Sequence, residues 1–178
     1  MAELKKYGMI IGEKCYIAPN VEFEEAWATH IRIGNEVSIA RGSRFISHDA
    51  STWRALGVTR VGVIEIGDRT FIGAHSIIMP NVRIGSDVIV GSGSVVTKNI
   101  PDGVVVGGNP ARQICTTAEL HEKIKSKMNS VPRFGEEVRA KRGSTVETRQ
   151  SMRERMPDGE AYIVFEGAER GLRPGVEL

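Results

Sequence analysis

Six aliphatic residues recur at an interval of six: Ile66, Ile72, Ile78, Ile84, Val90 and Val96. Directly after them come Gly67, Gly73, Met79, Gly85, Gly91 and Thr97, and four places after them Thr70, Ser76, Val82, Val88, Ser94 and Ile100. A period of six is neither the 3.6 of an amphipathic helix nor the 2 of a two-faced strand. It is the period of a parallel β-helix, in which each hexapeptide is one short strand plus a turn. Three hexads close a triangular coil, and the aliphatic side chain points to the axis and stacks on its equivalents. One repeat buries almost nothing alone, so the stack makes the core. Gly or Ala after the aliphatic is expected to give backbone freedom at the corner. The phased aliphatics are therefore core residues and carry no chemistry.

The pattern recurs upstream in shifted phase, as Ile33-Gly34, Ile39-Ala40 and Phe45, and again as Ile11-Gly12, Ile17-Ala18 and Phe23. From Phe45 to Ile66 is 21 residues, not a multiple of six. The stretch Ser47–Val63 lacks the pattern and is expected to be a loop thrown out of the coil. Long loops in compact domains tend to be functional, and this one holds His48, Asp49, Trp53, Arg54 and Arg60. A smaller break at Glu24–His30 separates the first two phases.

Composition divides the 178-residue chain near Cys115. Residues 1–115 hold 12 basic and 11 acidic residues, and residues 116–178, little more than half as many, hold the same numbers. Residues 1–115 are read as the packed body and 116–178 as a charged extension. Thr116-Thr117-Ala118-Glu119 fits a capping box, and Leu120, Ile124 and Met128 form a helical stripe. That helix is expected to shield the last coil's open edge and to end by Pro132. Gly135–Glu160 reads as polar and weakly ordered, and Ala161–Phe165 as one strand of unknown partner. The net charge of +2 argues against a chain built to neutralise nucleic-acid phosphates. No apolar run approaches the roughly 20 residues of a membrane span. The opening Met-Ala-Glu-Leu-Lys-Lys-Tyr-Gly shows no secretory signal. Cys15 and Cys115, one hundred positions apart, form no disulfide framework or metal motif, so a reducing cytoplasm is the expected location.

The block Ile66–Arg112 closely resembles the hexapeptide-repeat acyltransferases, above all the galactoside, maltose, xenobiotic and capsular polysaccharide acetyltransferases. Its most specific pieces are Gly91-Ser92-Gly93-Ser94-Val95-Val96-Thr97-Lys98, Ile100-Pro101 and Gly107-Gly108-Asn109-Pro110-Ala111-Arg112. The likeness extends over about residues 8–115. It implies an all-β fold, a left-handed parallel β-helix with one extruded loop and a C-terminal helix and tail. It also implies a homotrimer, acetyl-CoA as donor and a histidine general base. The expected function is O-acetylation of a saccharide hydroxyl, in surface polysaccharide or glycoconjugate synthesis. By resemblance His48, where the long loop leaves the coil, is the base. Ala74 and Ser92 are small residues lining the coenzyme groove, and Thr97, Lys98 and Arg112 are later contacts. Lys98 and Arg112 are also the cations suited to its phosphates. The sequence departs from the family at Phe23-Glu24-Glu25-Ala26-Trp27, where sugar acetyltransferases carry an acceptor-binding Asn, and at Cys115, where another base often stands.

A lone histidine suits this chemistry. An alcohol attacking a thioester must lose its proton as the new bond forms, and a neutral imidazole takes it near pH 7. The thioester is already activated, so no acyl-enzyme is needed, and backbone N–H groups at a coil corner suit the oxyanion. Ser47-His48-Asp49 is not a triad, since consecutive side chains rarely converge. Asp49 either closes a turn or contacts the acceptor. Trp53 either stacks on a sugar or anchors the loop, and Arg54 either meets an anionic acceptor or is solvated. A backbone carbonyl, Glu24 or Glu25 are the candidates to orient His48. Of the other histidines, His75 takes an outward hexad place, His30 a phase break and His121 the tail helix. A zinc site of three histidines is disfavoured by spacings of 18 and 27 between His30, His48 and His75. An N-acetyltransferase, a xenobiotic acetyltransferase and a noncatalytic trimeric scaffold are the remaining readings.

Overall fold

The computed structural model describes residues 5–135, 144–156 and 159–165. Two compact units are present, Met1–Ala118 and Glu119–Leu178. In the first, short strands visit three parallel sheets in turn. The first coil is β1 (Ile10–Ile11), β2 (Tyr16–Ile17) and β3 (Glu22–Phe23), and the second is β4 (Ile31–Ile33), β5 (Ser38–Ile39) and β6 (Arg44–Phe45). A hairpin follows, β7 (His48–Asp49) paired antiparallel with β8 (Arg60–Val61). The third coil is β9 (Ile64–Ile66), β10 (Phe71–Ile72) and β11 (Ile77–Ile78), and the fourth is β12 (Val82–Ile84), β13 (Ile89–Val90) and β14 (Val95–Val96). A partial fifth coil holds Ile100, bridged to Ile84, and β15 (Val104–Gly107), parallel to β13. It is closed by antiparallel β16 (Arg112–Thr116).

Register explains the hexad. Ile66 pairs with Ile84, Ile72 with Val90 and Ile78 with Val96, each 18 residues on, or three hexads. All six phased aliphatics are buried, along with Ile31, Ile39, Phe45 and Ile64. Fully burying each such side chain contributes about 1.5–3 kcal/mol. Buried hydroxyls four places after the aliphatics tie the coils together. Ser76 Oγ donates to the carbonyls of Gly73 (2.8 Å) and Gly91 (3.1 Å), and Ser43 Oγ to those of Ala40 and Gly73. In the first coil that place is Cys15, whose Sγ meets the Gly34 carbonyl at 3.0 Å; burial pushes its thiol pKa up.

The glycines after the aliphatics act differently from the sequence expectation. The left-handed corner lies two places later, at Lys14, Asn20, Glu36, Gly42, Arg69, His75, Asn81, Asp87 and Gly93, all at positive φ. Most of these are not glycine. The stack holds them there, since the corner N–H donates to the coil before, as Arg69 to Asn35 and Asp87 to Asp68, both at 2.9 Å. The glycine directly after the aliphatic is required by close approach: a Cβ on Gly73 would lie 2.5 Å from the Ser92 backbone nitrogen.

Both insertions fall at one corner, between the β3/β6/β11/β14 sheet and the β1/β4/β9/β12 sheet. Ile17 pairs with Ile39, an offset of 22 and thus four residues beyond a coil. The extra length falls within the 3-10 segment Glu25–His30. Ile39 pairs with Ile72, an offset of 33 and thus fifteen beyond a coil, which is the hairpin.

In the second unit, a helix spanning Thr117–Met128 crosses in from the first. Thr117 Oγ1 donates to the Asp87 carbonyl at 2.7 Å, and the Leu120, Ile124 and Met128 stripe is half-buried. Gly135–Glu160 is more ordered than its polarity suggests where it is described. Thr145 caps a helix over Val146–Glu154, its Oγ1 accepting from Thr148 N. The expected late strand, Tyr162–Ile163, pairs in parallel with Arg133–Phe134, and Arg155 lies over the buried Phe134 ring. Residues 136–143 and 157–158 of the polar stretch lie outside the described residues.

Candidate active site

The doubly interrupted corner gathers the polar groups of interest. Phe23 and Phe45 stack across adjacent coils, ring centroids 4.8 Å apart. The residues that follow each of them therefore leave the prism side by side. Glu24 opens the 3-10 segment, and Ser47 and His48 open the hairpin.

One carboxylate joins the two insertions. Glu24 Oε2 accepts from the Ser47 backbone N–H (2.6 Å), the Ser47 hydroxyl (2.8 Å) and the His48 backbone N–H (3.0 Å). Its Oε1 lies 2.7 Å from His48 Nδ1. That approach is close but off-line: Nδ1 is buried and makes no hydrogen bond of good direction. Burial pushes the Glu24 carboxyl pKa up, but the bonds from His48 and Ser47 outweigh it and hold it below the ordinary 4.5. The carboxylate is thus ionised at neutral pH, facing a half-exposed imidazole.

The same short insertion supplies an aromatic wall. Trp27, half-buried at a kink in the 3-10 segment, sets its ring 6.2 Å from that of His48 and 5.7 Å from that of His30. On the hairpin, Asp49 Oδ1 accepts from Ser51 N at 2.9 Å, which closes a turn, and Oδ2 lies 3.8 Å from Arg60. The bond from Ser51 pulls the Asp49 pKa down. Trp53 and Arg54 lie in one helical turn, Trp53–Leu56, at the tip. Trp53 is 62% exposed, with Leu56 and Val58 exposed beside it.

The remaining sequence candidates fall elsewhere on the prism. Ala74 and Ser92 stack in adjacent coils at another corner, between the β2/β5/β10/β13 sheet and the β3/β6/β11/β14 sheet; Gly93 N donates to the Ala74 carbonyl at 2.8 Å. Thr97 and Lys98 are exposed and follow β14, at the His48 corner but two coils along, or about 10 Å. Arg112 is exposed on β16, its Nη1 bonded to the Ala111 carbonyl. His75 is exposed, its ring over Gly42. One chain therefore brings His48, Glu24 and Trp27 together, but not Ala74 and Ser92 with them. Trp27 and Ser47 were not singled out from sequence. Their signal was the shared phase of Phe23 and Phe45, which places both departures at one corner.

Comparison with known proteins agrees with this architecture. Residues 64–98 match the family described as bacterial transferase hexapeptide (six repeats). Protein CapG of Staphylococcus aureus is 38% identical over 127 residues, covering 68% of this chain and 74% of that protein. The crystal structure of a maltose O-acetyltransferase from Clostridium difficile 630 superposes with a TM-score of 0.56 at 33% identity, over 62% of this chain and 59% of that one. A hexapeptide-repeat acetyltransferase from Vibrio cholerae, complexed with acetyl coenzyme A, gives 0.56 at 29% identity, over 61% and 60%. The chain belongs to the hexapeptide-repeat transferases. It spans about 60% of the length of several curated relatives it matches.

Proposed function

We propose that this chain is an acetyl-CoA-dependent O-acetyltransferase acting on a saccharide hydroxyl, in surface polysaccharide or glycoconjugate synthesis. The observation that carries the reading is His48 at the root of the hairpin, its Nδ1 facing an ionised carboxylate. With Nδ1 buried against that carboxylate, Nε2 is the nitrogen left to work as a base. It takes the proton of the acceptor hydroxyl as that oxygen attacks the thioester carbonyl. The tetrahedral intermediate collapses, the C–S bond breaks, and the imidazolium returns its proton to the departing thiolate. An acetyl ester and free CoA result.

The saccharide acceptor finds support in the indoles of Trp27 and Trp53, whose flat faces suit the C–H face of a pyranose, and in the likeness to a maltose O-acetyltransferase. Asp49 and Arg54 are assigned to the acceptor side. Ala74, Ser92, Thr97, Lys98 and Arg112 are assigned to the coenzyme. Ala74 and Ser92 stand at a different corner from His48, so the complete site needs a second copy of the chain. This is the case for a homotrimer of left-handed β-helices, residues 1–115 forming the transferase domain and 116–178 the extension, acting in the cytoplasm. The reading calls for no metal, because the thioester is already activated.

The test is release of free thiol from acetyl-CoA by the purified chain across maltose, a methyl galactoside, an amino-sugar nucleotide and a streptogramin. The reading predicts acceptor-dependent release with a saccharide hydroxyl. Release only with the amino sugar or the antibiotic would move the assignment to those acceptors, and none with any acceptor would leave the scaffold.

A further inference from the structure

The structure assigns Glu24 as the positioning residue of the active-site base: its carboxylate fixes both the hairpin root and the tautomer of His48. This rests on His48 being the base, as proposed above. The two oxygens divide the work. Oε2 takes three donors, the N–H groups of Ser47 and His48 and the Ser47 hydroxyl, and so sets the backbone from which the imidazole projects. Oε1 stands against Nδ1. A carboxylate is acceptor-only, so the favoured neutral imidazole is the one carrying its proton on Nδ1 and a bare lone pair on Nε2.

Ser47 is fully buried, and its N–H would be left without this partner if the carboxylate were removed. The four residues inserted between the first two coils are thus more than a tolerated irregularity. Glu24 stands directly before them, where the chain leaves the coil, and from there it reaches the next coil's hairpin. Other charged groups near His48 are less directly placed. Asp49 turns its carboxylate to Ser51 and Arg60, Glu25 is exposed, and His30 lies beyond Trp27.

Glu24→Gln separates orientation from architecture. The amide keeps one oxygen for the three donors but can set an NH2 against Nδ1, which favours the opposite tautomer. The full chain, 15N-labelled and held at pH 8.5, is examined by long-range 1H–15N correlation, with His48→Ala identifying the His48 signals. Wild type should carry the His48 proton on Nδ1 and the Gln variant should shift it toward Nε2. In acetyl transfer to maltose, kcat should fall by about 100-fold or more while the variant keeps a cooperative melting transition, lowered at pH 7 only by the lost carboxylate. A wild-type proton on Nε2, or an unchanged tautomer in the variant, would overturn the assignment. If Glu24→Gln does not fold, the wild-type spectrum alone still decides. A wild-type chain inactive on every acceptor would contradict the proposed function and leave the tautomer result standing.

Discussion

The third and fourth coils and the first and second are built from the same hexad but serve different ends. Between β9 and β14 every strand pairs with its equivalent 18 residues away, and the outer faces carry cross-coil ion pairs such as Arg69–Asp87 and Arg83–Glu65. Between β1 and β6 the same sheets continue, but one corner opens twice to release the 3-10 segment and then the hairpin. The regular half shows what the repeat stabilises, and the interrupted half shows where it can be spent. A stacked coil fixes each strand through the coils above and below. Extra chain at a corner therefore costs mainly loop-closure entropy, which grows slowly with length.

The comparison can be broken most forcefully in the regular half. Ile78 is fully buried between Phe45 and Val96. Ile78→Ala is expected to cost about 2–5 kcal/mol in a denaturant titration. A loss under 1 kcal/mol would mean the axis is not the close-packed core described here. Gly73→Ala sets a Cβ against backbone at 2.5 Å and should destabilise by about 1–3 kcal/mol. Gly93→Ala, with open space around its Cβ but positive φ, should cost about 1–2 kcal/mol through strain alone. Gly73→Ala should melt below Gly93→Ala, and the reverse order would contradict the close approach at Gly73.

The interrupted half responds to pH. The folded-state pKa of Glu24 is depressed, so its contribution to stability is complete above about the ordinary 4.5 and is lost as pH falls through the lower folded value. Melting temperatures of wild type and Glu24→Gln, followed from pH 7 down to 3, should converge as the carboxylate protonates. A constant gap would place the linkage elsewhere. The smallest stability effect belongs to Trp53→Ala, expected within about 0.5 kcal/mol because the side chain is exposed. The same variant should raise the KM for maltose, and an unchanged KM would remove Trp53 from the acceptor side.

The coil was legible because burial repeats: Ile66 through Val96 each face the axis, and a periodic core leaves a periodic sequence. The hairpin was legible as a failure of that period. The corner conformation was misassigned to the glycine after the aliphatic, because composition shows where glycine is frequent and not which constraint selects it. Lys14, Glu36 and Arg69 sit in the left-handed region without any residue preference to announce it. Glu24 stood among several candidate partners for His48. The choice depends on the Phe23–Phe45 stack, a register between coils with 22 residues separating its members. The helix over Val146–Glu154 was hidden by a polar composition that gives no apolar stripe.

The most direct measurement is the rate of acetyl transfer from acetyl-CoA to a saccharide by His48→Ala beside wild type, with both melting curves recorded. The side chain is half-exposed and outside the aliphatic axis, so the variant should melt close to wild type while kcat falls by about 100-fold or more. A well-folded His48→Ala chain with undiminished kcat would contradict the account, because no imidazole would then be needed where the two insertions meet.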